Sequence, residues 1–161
     1  TKHYVIRHSN IYGPHDKYDL ENSHVFGATI NKVLNKDSNI VSIWGDGSEE
    51  RDLLYVSDLV DSVKKIISTK DKNPFYIFNI GSGKAISVTD LVCKIVEIAG
   101  VKYKKIVYEQ SEPTVKTSIA LDCSKAKLIL GWQPNVSLEV GIKKTILWYK
   151  KMSMNDKLEG N

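Results

Sequence analysis

The sequence predicts an α/β fold, and three observations carry that expectation. Short apolar runs of strand length alternate with longer stretches whose apolar residues recur at helical spacing. The runs end in glycine-bearing turns, as at Gly13-Pro14, Gly45-Asp46-Gly47 and Gly81-Ser82-Gly83. The 161 residues, 42% hydrophobic and 26% charged, supply one core but are short for two domains.

The elements follow in order. His3–Ile6 reads as a short strand leading into Asn10-Ile11-Tyr12 and a turn. Residues 14–22 are polar, and Asn22 or Ser23 is placed to cap a helix carrying Val25, Phe26, Thr29, Ile30, Val33 and Leu34 on one face. Ile40–Trp44 and Asp52–Val56 read as strands either side of the Gly45-Asp46-Gly47 turn. Ser57 or Asp58 is expected to cap the next helix, with Leu59, Val63, Ile66 and Ile67 inward. Phe75–Ile80 reads as a buried strand. Ser87-Val88-Thr89-Asp90 has the form of a capping box, opening a helix that Gly100 closes. Lys105–Tyr108 is a further strand. A helix from about Ser124 stops at Gly131, and a last one runs from Ser137 to about Lys151.

Two features predict that the fold is incomplete. The strands at 4–6 and 75–80 read as parallel strands buried on both faces, yet there are too few to make a sheet. The chain also opens directly into one of them. We therefore expect one α/β region, residues 1–151, followed by a flexible polar tail, 152–161.

Composition excludes several classes. The net charge is +4 and the pI 8.9. Residues 1–99 carry 12 basic and 13 acidic side chains, whereas residues 100–151 carry 10 lysines against 4 acids. Those lysines fall on polar faces of amphipathic segments, so a solvated surface is expected and no nucleic-acid partner. No apolar run approaches a membrane span, and no signal-peptide pattern opens the sequence. Cys93 and Cys123 are too far apart for a zinc knuckle or redox pair and read as buried thiols, which fits a reducing, cytoplasmic compartment. His3, His8, His15 and His24 cluster near the start but lack metal-ligand spacing, so no metal is expected. Gly81-Ser82-Gly83-Lys84 fails as a phosphate loop: Phe78 and Ala85 stand where glycine and Ser or Thr belong.

Arginine is scarce: Arg7 and Arg51 stand among 21 lysines. Arg51 follows Trp44 across the glycine turn. If the flanking strands pair, guanidinium and indole can approach one ligand. The plainer readings are a core Trp44, a surface ion pair of Arg51 with Glu49, Glu50 or Asp58, and an Arg7 bridging inside the fold.

Arg7-His8-Ser9-Asn10-Ile11-Tyr12-Gly13-Pro14, Glu21-Asn22-Ser23-His24-Val25, Trp44-Gly45-Asp46-Gly47, Arg51–Leu59, Phe78–Gly83 and Leu130-Gly131-Trp132-Gln133-Pro134 occur in that order. Together they resemble the extended short-chain dehydrogenase/reductase family of nucleotide-sugar epimerases, dehydratases and ketoreductases. Tyr12–Asp16 with Asn22–Val25 is most similar to its GDP-L-fucose synthase branch. The resemblance implies the C-terminal part of a Rossmann-type enzyme with its small substrate-binding α/β domain, using NAD or NADP. The family's glycine-rich loop and Tyr-x-x-x-Lys pair are absent here; no tyrosine has lysine four residues on. The chain alone is therefore expected not to catalyse the reaction.

The resemblance further implies site residues. Arg51 would hold the diphosphate, Trp44 the nucleotide side, and Asn10 would contact substrate or cofactor. Lys32, where the branch has arginine, lies two helical turns beyond His24 and near the same face. His8, Ser9, Asn10 and Ile11 would pass the nicotinamide, and His24 would touch cofactor or substrate. Thr114 stands in place of a nucleotide-contacting aspartate, which leaves UDP, dTDP and CDP open beside GDP. A UDP-hexose 4-epimerase, a 4,6-dehydratase and a non-catalytic binding module or remnant are the alternatives, and homo-oligomerisation or self-association is expected.

Overall fold

The computed structural model describes residues 1–70, 73–102, 104–110 and 117–159. Seven strands and five helices alternate among them: β1 (His3–His8), β2 (Asn10–Tyr12), α1 (Val25–Leu34), β3 (Ile40–Trp44), β4 (Glu50–Tyr55), α2 (Val56–Ser68), β5 (Phe75–Ile80), β6 (Ala85–Ser87), α3 (Val88–Ala99), β7 (Lys105–Glu109), α4 (Ser124–Leu130) and α5 (Leu138–Glu159). The α/β expectation holds.

Three small sheets form. β1 pairs with β5 in parallel, Tyr4 opposite Tyr76 and Ile6 opposite Phe78. β4 is central in the second, parallel to β2 and antiparallel to β6. β3 pairs in parallel with β7. This corrects the expected pairing of residues 40–44 with 52–56. The Gly45-Asp46-Gly47 turn separates two strands that enter different sheets, because β3 finds its partner 65 positions on, Ile40 opposite Lys105.

Side-chain alternation along β4 divides the interior. Leu53 enters one cluster with Tyr12, Phe26, Ile30, Val41, Leu91 and Ile142. Leu54 enters another with Ile66, Phe78, Ile80, Ala126 and Trp132. Trp132 is fully buried there, its indole N–H donating to the Asp58 carbonyl at 3.0 Å. It is a packing anchor beside Ile66 of α2 and Ala126 of α4.

Helix boundaries follow the sequence unevenly. Ser87 caps α3 by accepting from the Asp90 N–H, and Gly100 and Gly131 end α3 and α4 in the left-handed region. Asn22, Ser23, Ser57 and Asp58 are not caps. His24 and Tyr55 occupy those positions, with no side-chain bond. Asp58 lies inside α2, where its buried carboxylate accepts from the Asn135 and Val136 N–H groups and fixes the loop before α5. The inward stripe of α2 is therefore Asp58, Ser62 and Ile66, while Val63 and Ile67 stay exposed, contrary to expectation. β6 also intervenes between Gly83 and α3, and α5 continues past Lys151 to Glu159.

Further corrections concern exposure. β1 and β5 are not buried on both faces: Val5 is 42% and Phe75 50% exposed. Cys93 is exposed, and Cys123 is half-buried with its thiol pushed up in pKa by burial. Arg7 is exposed on β1, which removes the reading of it as a bridge inside the fold among the described residues. No helix among the described residues is long and apolar enough to cross a membrane.

Two outcomes follow. Gly141 of α5 packs against the Tyr12 ring, and a Cβ there would overlap the phenol oxygen. Gly141→Ala should destabilise by about 1–3 kcal/mol through overpacking, against the roughly 1 kcal/mol gain usual for this change in a helix. Urea unfolding checks it, and a gain would refute the close approach. β1 has a partner on one side only among the described residues, beside exposed Val5 and Phe75. Light scattering should show concentration-dependent self-association; a stable monomer at high concentration would count against it.

Candidate functional site

Two cavities meet at Arg51. The larger, about 780 Å³, is lined by residues 8–16 together with His24, Glu50, Arg51, Asp52 and the 117–121 segment. The smaller, about 320 Å³, is lined by Lys32, Ser42, Trp44, Glu49 and Arg51 over apolar residues from α1.

Strand periodicity places the indole. Along β3, Val41 and Ile43 point into the core, so Ser42 and Trp44 take the opposite face. Trp44 is 55% exposed, which removes the core reading. Lys32 reaches across from α1, donating to the Ser42 carbonyl and hydroxyl at 2.9 Å each. Burial lowers its pKa, and Glu109 partly opposes that shift. A lysine ammonium has three donors, so one remains for a ligand.

Arg51 is held from three sides. Its Nη1 donates to the Glu50 carbonyl at 3.0 Å and to Thr117 Oγ1 at 2.7 Å. Its Nη2 forms an ion pair with Glu49 Oε2 at 2.6 Å. The expected surface pairing thus exists, with Glu49. It does not exhaust the guanidinium: Nε–H and one Nη2 hydrogen have no partner among the described residues.

Asp52 ties together one wall of the larger cavity. This buried carboxylate accepts from Ser82 N and Oγ at 2.7 Å, Gly83 N at 3.2 Å and Leu121 N at 3.0 Å. Gly81-Ser82-Gly83 therefore does bind an anion through its amides, but the anion is internal. A Cβ on Gly81 would crowd the same carboxylate. Leu121 carries the segment whose Thr117 holds Arg51, and Ser118 bonds Glu50.

The predicted residues divide between the cavities. His8, Ser9, Asn10, Ile11 and His24 line the larger; Lys32 and Trp44 line the smaller; Arg51 lines both. His24 and Lys32 thus do not share a face, because His24 sits at the N-cap and lines the other cavity. Asn10 donates its amide to the Asp52 carbonyl at 3.2 Å, and His8 Nδ1 lies 2.8 Å from the Ser9 carbonyl. His15, exposed at a φ of 68°, packs against Trp148 and also lines the larger cavity. Among the described residues no group of three His, Cys, Asp or Glu side chains is placed to hold a metal. Thr114 lies outside the described residues.

Ser42, Thr117 and Asp52 were not singled out from the sequence. Only Asp52 left an indirect signal there, through the glycine-rich loop that binds it, Gly81-Ser82-Gly83, which lacks the rest of a phosphate motif. Three buried polar atoms, Ser9 Oγ, Asp16 Oδ2 and Ser23 Oγ, have no hydrogen-bond partner among the described residues. All three belong to residues that line one cavity or the other.

A model of the NAD dependent epimerase/dehydratase family matches residues 1–81. The chain belongs to this family. It is 38% identical over 143 residues to a GDP-L-fucose synthase of Sinorhizobium fredii, covering 85% of this chain and 43% of that protein. The UDP-glucose 4-epimerase of Thermotoga maritima, solved with UDP-glucose, superposes with a TM-score of 0.79 at 34% identity. That match covers 93% of this chain and 46% of the epimerase. The UDP-glucuronic acid 4-epimerase of Bacillus cereus, solved with UDP-glucuronic acid and NAD, gives 0.80 at 26% identity over 92% and 45%. The chain thus has the α/β fold of about half of an extended short-chain dehydrogenase/reductase and spans less than half the length of these relatives.

Asp52→Asn tests the wall. It keeps the shape but turns an amide group toward N–H donors, and should cost about 3 kcal/mol or more of folding stability. Chemical denaturation measures this; a change under 1 kcal/mol would show that the donors find other acceptors.

Proposed function

We propose that this chain forms the nucleotide-sugar-binding region of an NAD(P)-dependent nucleotide-sugar epimerase or reductase of the GDP-L-fucose synthase type. The observation that carries the reading is Arg51, which lines both cavities and keeps Nε–H and one Nη2 hydrogen without a partner among the described residues. A diphosphate joins two chemically unlike halves, a nucleoside and a sugar, and a cation common to two cavities suits such a bridge. The smaller cavity offers Trp44 as a flat surface and Lys32 as a second cation. The larger takes the sugar beside His8, Asn10 and His24.

The nicotinamide end of NAD or NADP fits the same cavity. Ser9 Oγ is buried there without a partner, next to His8, Asn10 and Ile11, and His24 lines the space. When bound, the dinucleotide supplies hydride transfer. These residues would bind and orient the ring and the sugar. No tyrosine–lysine pair at the family's spacing is present to move the proton, so catalysis is not assigned to this chain alone. A UDP-hexose 4-epimerase is the second reading, favoured by the 34% identity to the Thermotoga maritima enzyme.

Arg51→Ala should weaken binding of the nucleotide sugar by about 1.5–3 kcal/mol, the range for a charged hydrogen bond. Arg51→Lys should recover part of it, since an ammonium lacks the planar fork. Calorimetric titration reads affinity, and thermal melting serves as the control. The part-exposed Glu49 pair should contribute under about 1 kcal/mol to stability. A large loss of stability with affinity intact would make Arg51 a structural ion-pair partner and overturn the proposal.

A further inference from the structure

Glu49 is an anion in a cavity otherwise furnished for anions. Its side chain is only 13% exposed, and Oε2 lies 2.6 Å from Arg51 Nη2. Oε1 has no partner among the described residues. Glu49 lines the smaller cavity with Trp44 and Lys32, whereas its neighbour Glu50 lines the larger one.

The position restricts what this carboxylate can face. A phosphate oxygen on the free Nη2 hydrogen of Arg51 would lie within two hydrogen-bond lengths of Oε2, at most about 5.5 Å away. Two anions so close repel, and contact with the phosphate itself is excluded. The carboxylate needs a donor-bearing group beside the phosphate. On the sugar side that group would be a hexose hydroxyl, but the sugar side opens into the larger cavity. On the nucleoside side, ribose directly follows the phosphate and the base comes only after it. Trp44 supplies the surface for that base.

We propose that Glu49 accepts hydrogen bonds from the ribose diol of the nucleotide and makes the site selective for ribonucleotides over deoxyribonucleotides. This rests on the nucleotide-sugar reading of the cavities. Arg51 carries a double load: its free donors hold the phosphate while its bonded Nη2 hydrogen holds Glu49 in place to receive the ribose. The carboxylate is pre-positioned at no cost in side-chain ordering when the ligand arrives.

Calorimetric titration of the chain with UDP and GDP, each beside its 2′-deoxy and 3′-deoxy forms, tests the assignment. The ribonucleotide should bind about tenfold or more tightly than at least one deoxy form, the minimum for a hydrogen bond to a charged acceptor. Glu49→Ala should bring that ratio close to one, and Glu49→Gln should lower it while keeping the side-chain shape. The ratio cancels any general loosening of Arg51, which weakens all forms alike. Should Glu49→Ala fail to fold, Glu49→Gln supplies the reading. Ribonucleotide and both deoxy forms binding equally to the unaltered chain would overturn this assignment and leave the nucleotide site standing. A ratio that survives Glu49→Ala would also overturn it. Binding of no nucleotide at all would overturn both.

Discussion

Four donors from two separate segments converge on the Asp52 carboxylate, and the setting of Arg51, which lines both cavities, depends on that convergence. Asp52 lies on the central strand β4, immediately after Arg51. By taking the Ser82 and Gly83 amides it fixes the turn after β5, and by taking Leu121 N it hangs the 117–121 segment beside the same strand. That segment returns Thr117 to Arg51. A buried carboxylate with several N–H bonds is stable in a way that an unpaired one is not, since each lone pair lost from water is replaced. The guanidinium is thus oriented through a chain of hydrogen bonds that begins one residue away from it.

The same strand separates two chemistries by alternation. Leu53 and Leu54 lie in different clusters, so β4 is packed on both faces and cannot shift register without exposing one core. β4 thereby fixes the position of the arginine that lines both cavities. β3 makes the complementary contribution: Val41 and Ile43 anchor it, which leaves Ser42 and Trp44 directed at the smaller cavity. Exposure of a large indole costs hydrophobic stabilisation in the free chain, and a site that stacks a flat ligand is a physical reason to retain it.

Local rules located most of the elements. The capping pattern at Ser87 and the glycines at 100 and 131 act within a single turn of helix, so they read directly from neighbouring residues. Ser57 and Asp58 satisfied the same local pattern and failed as caps. A distant loop, residues 135 and 136, offers the Asp58 carboxylate its N–H groups, and burial inside α2 wins over a cap exposed to water. The apolar stripe of α2 misled for the related reason that spacing specifies a face but not what covers it.

Sequence by itself determined the α/β class and the family motifs, because those depend on periodicity and on the order of side-chain types along the chain. Tertiary structure decided the rest. β3 pairs with β7 instead of β4, His24 and Lys32 serve different cavities, and the glycine loop holds Asp52 instead of a phosphate. Each is a contact between residues tens of positions apart, chosen by competition among partners for backbone hydrogen bonds and buried surface. No local pattern records the winner of that competition.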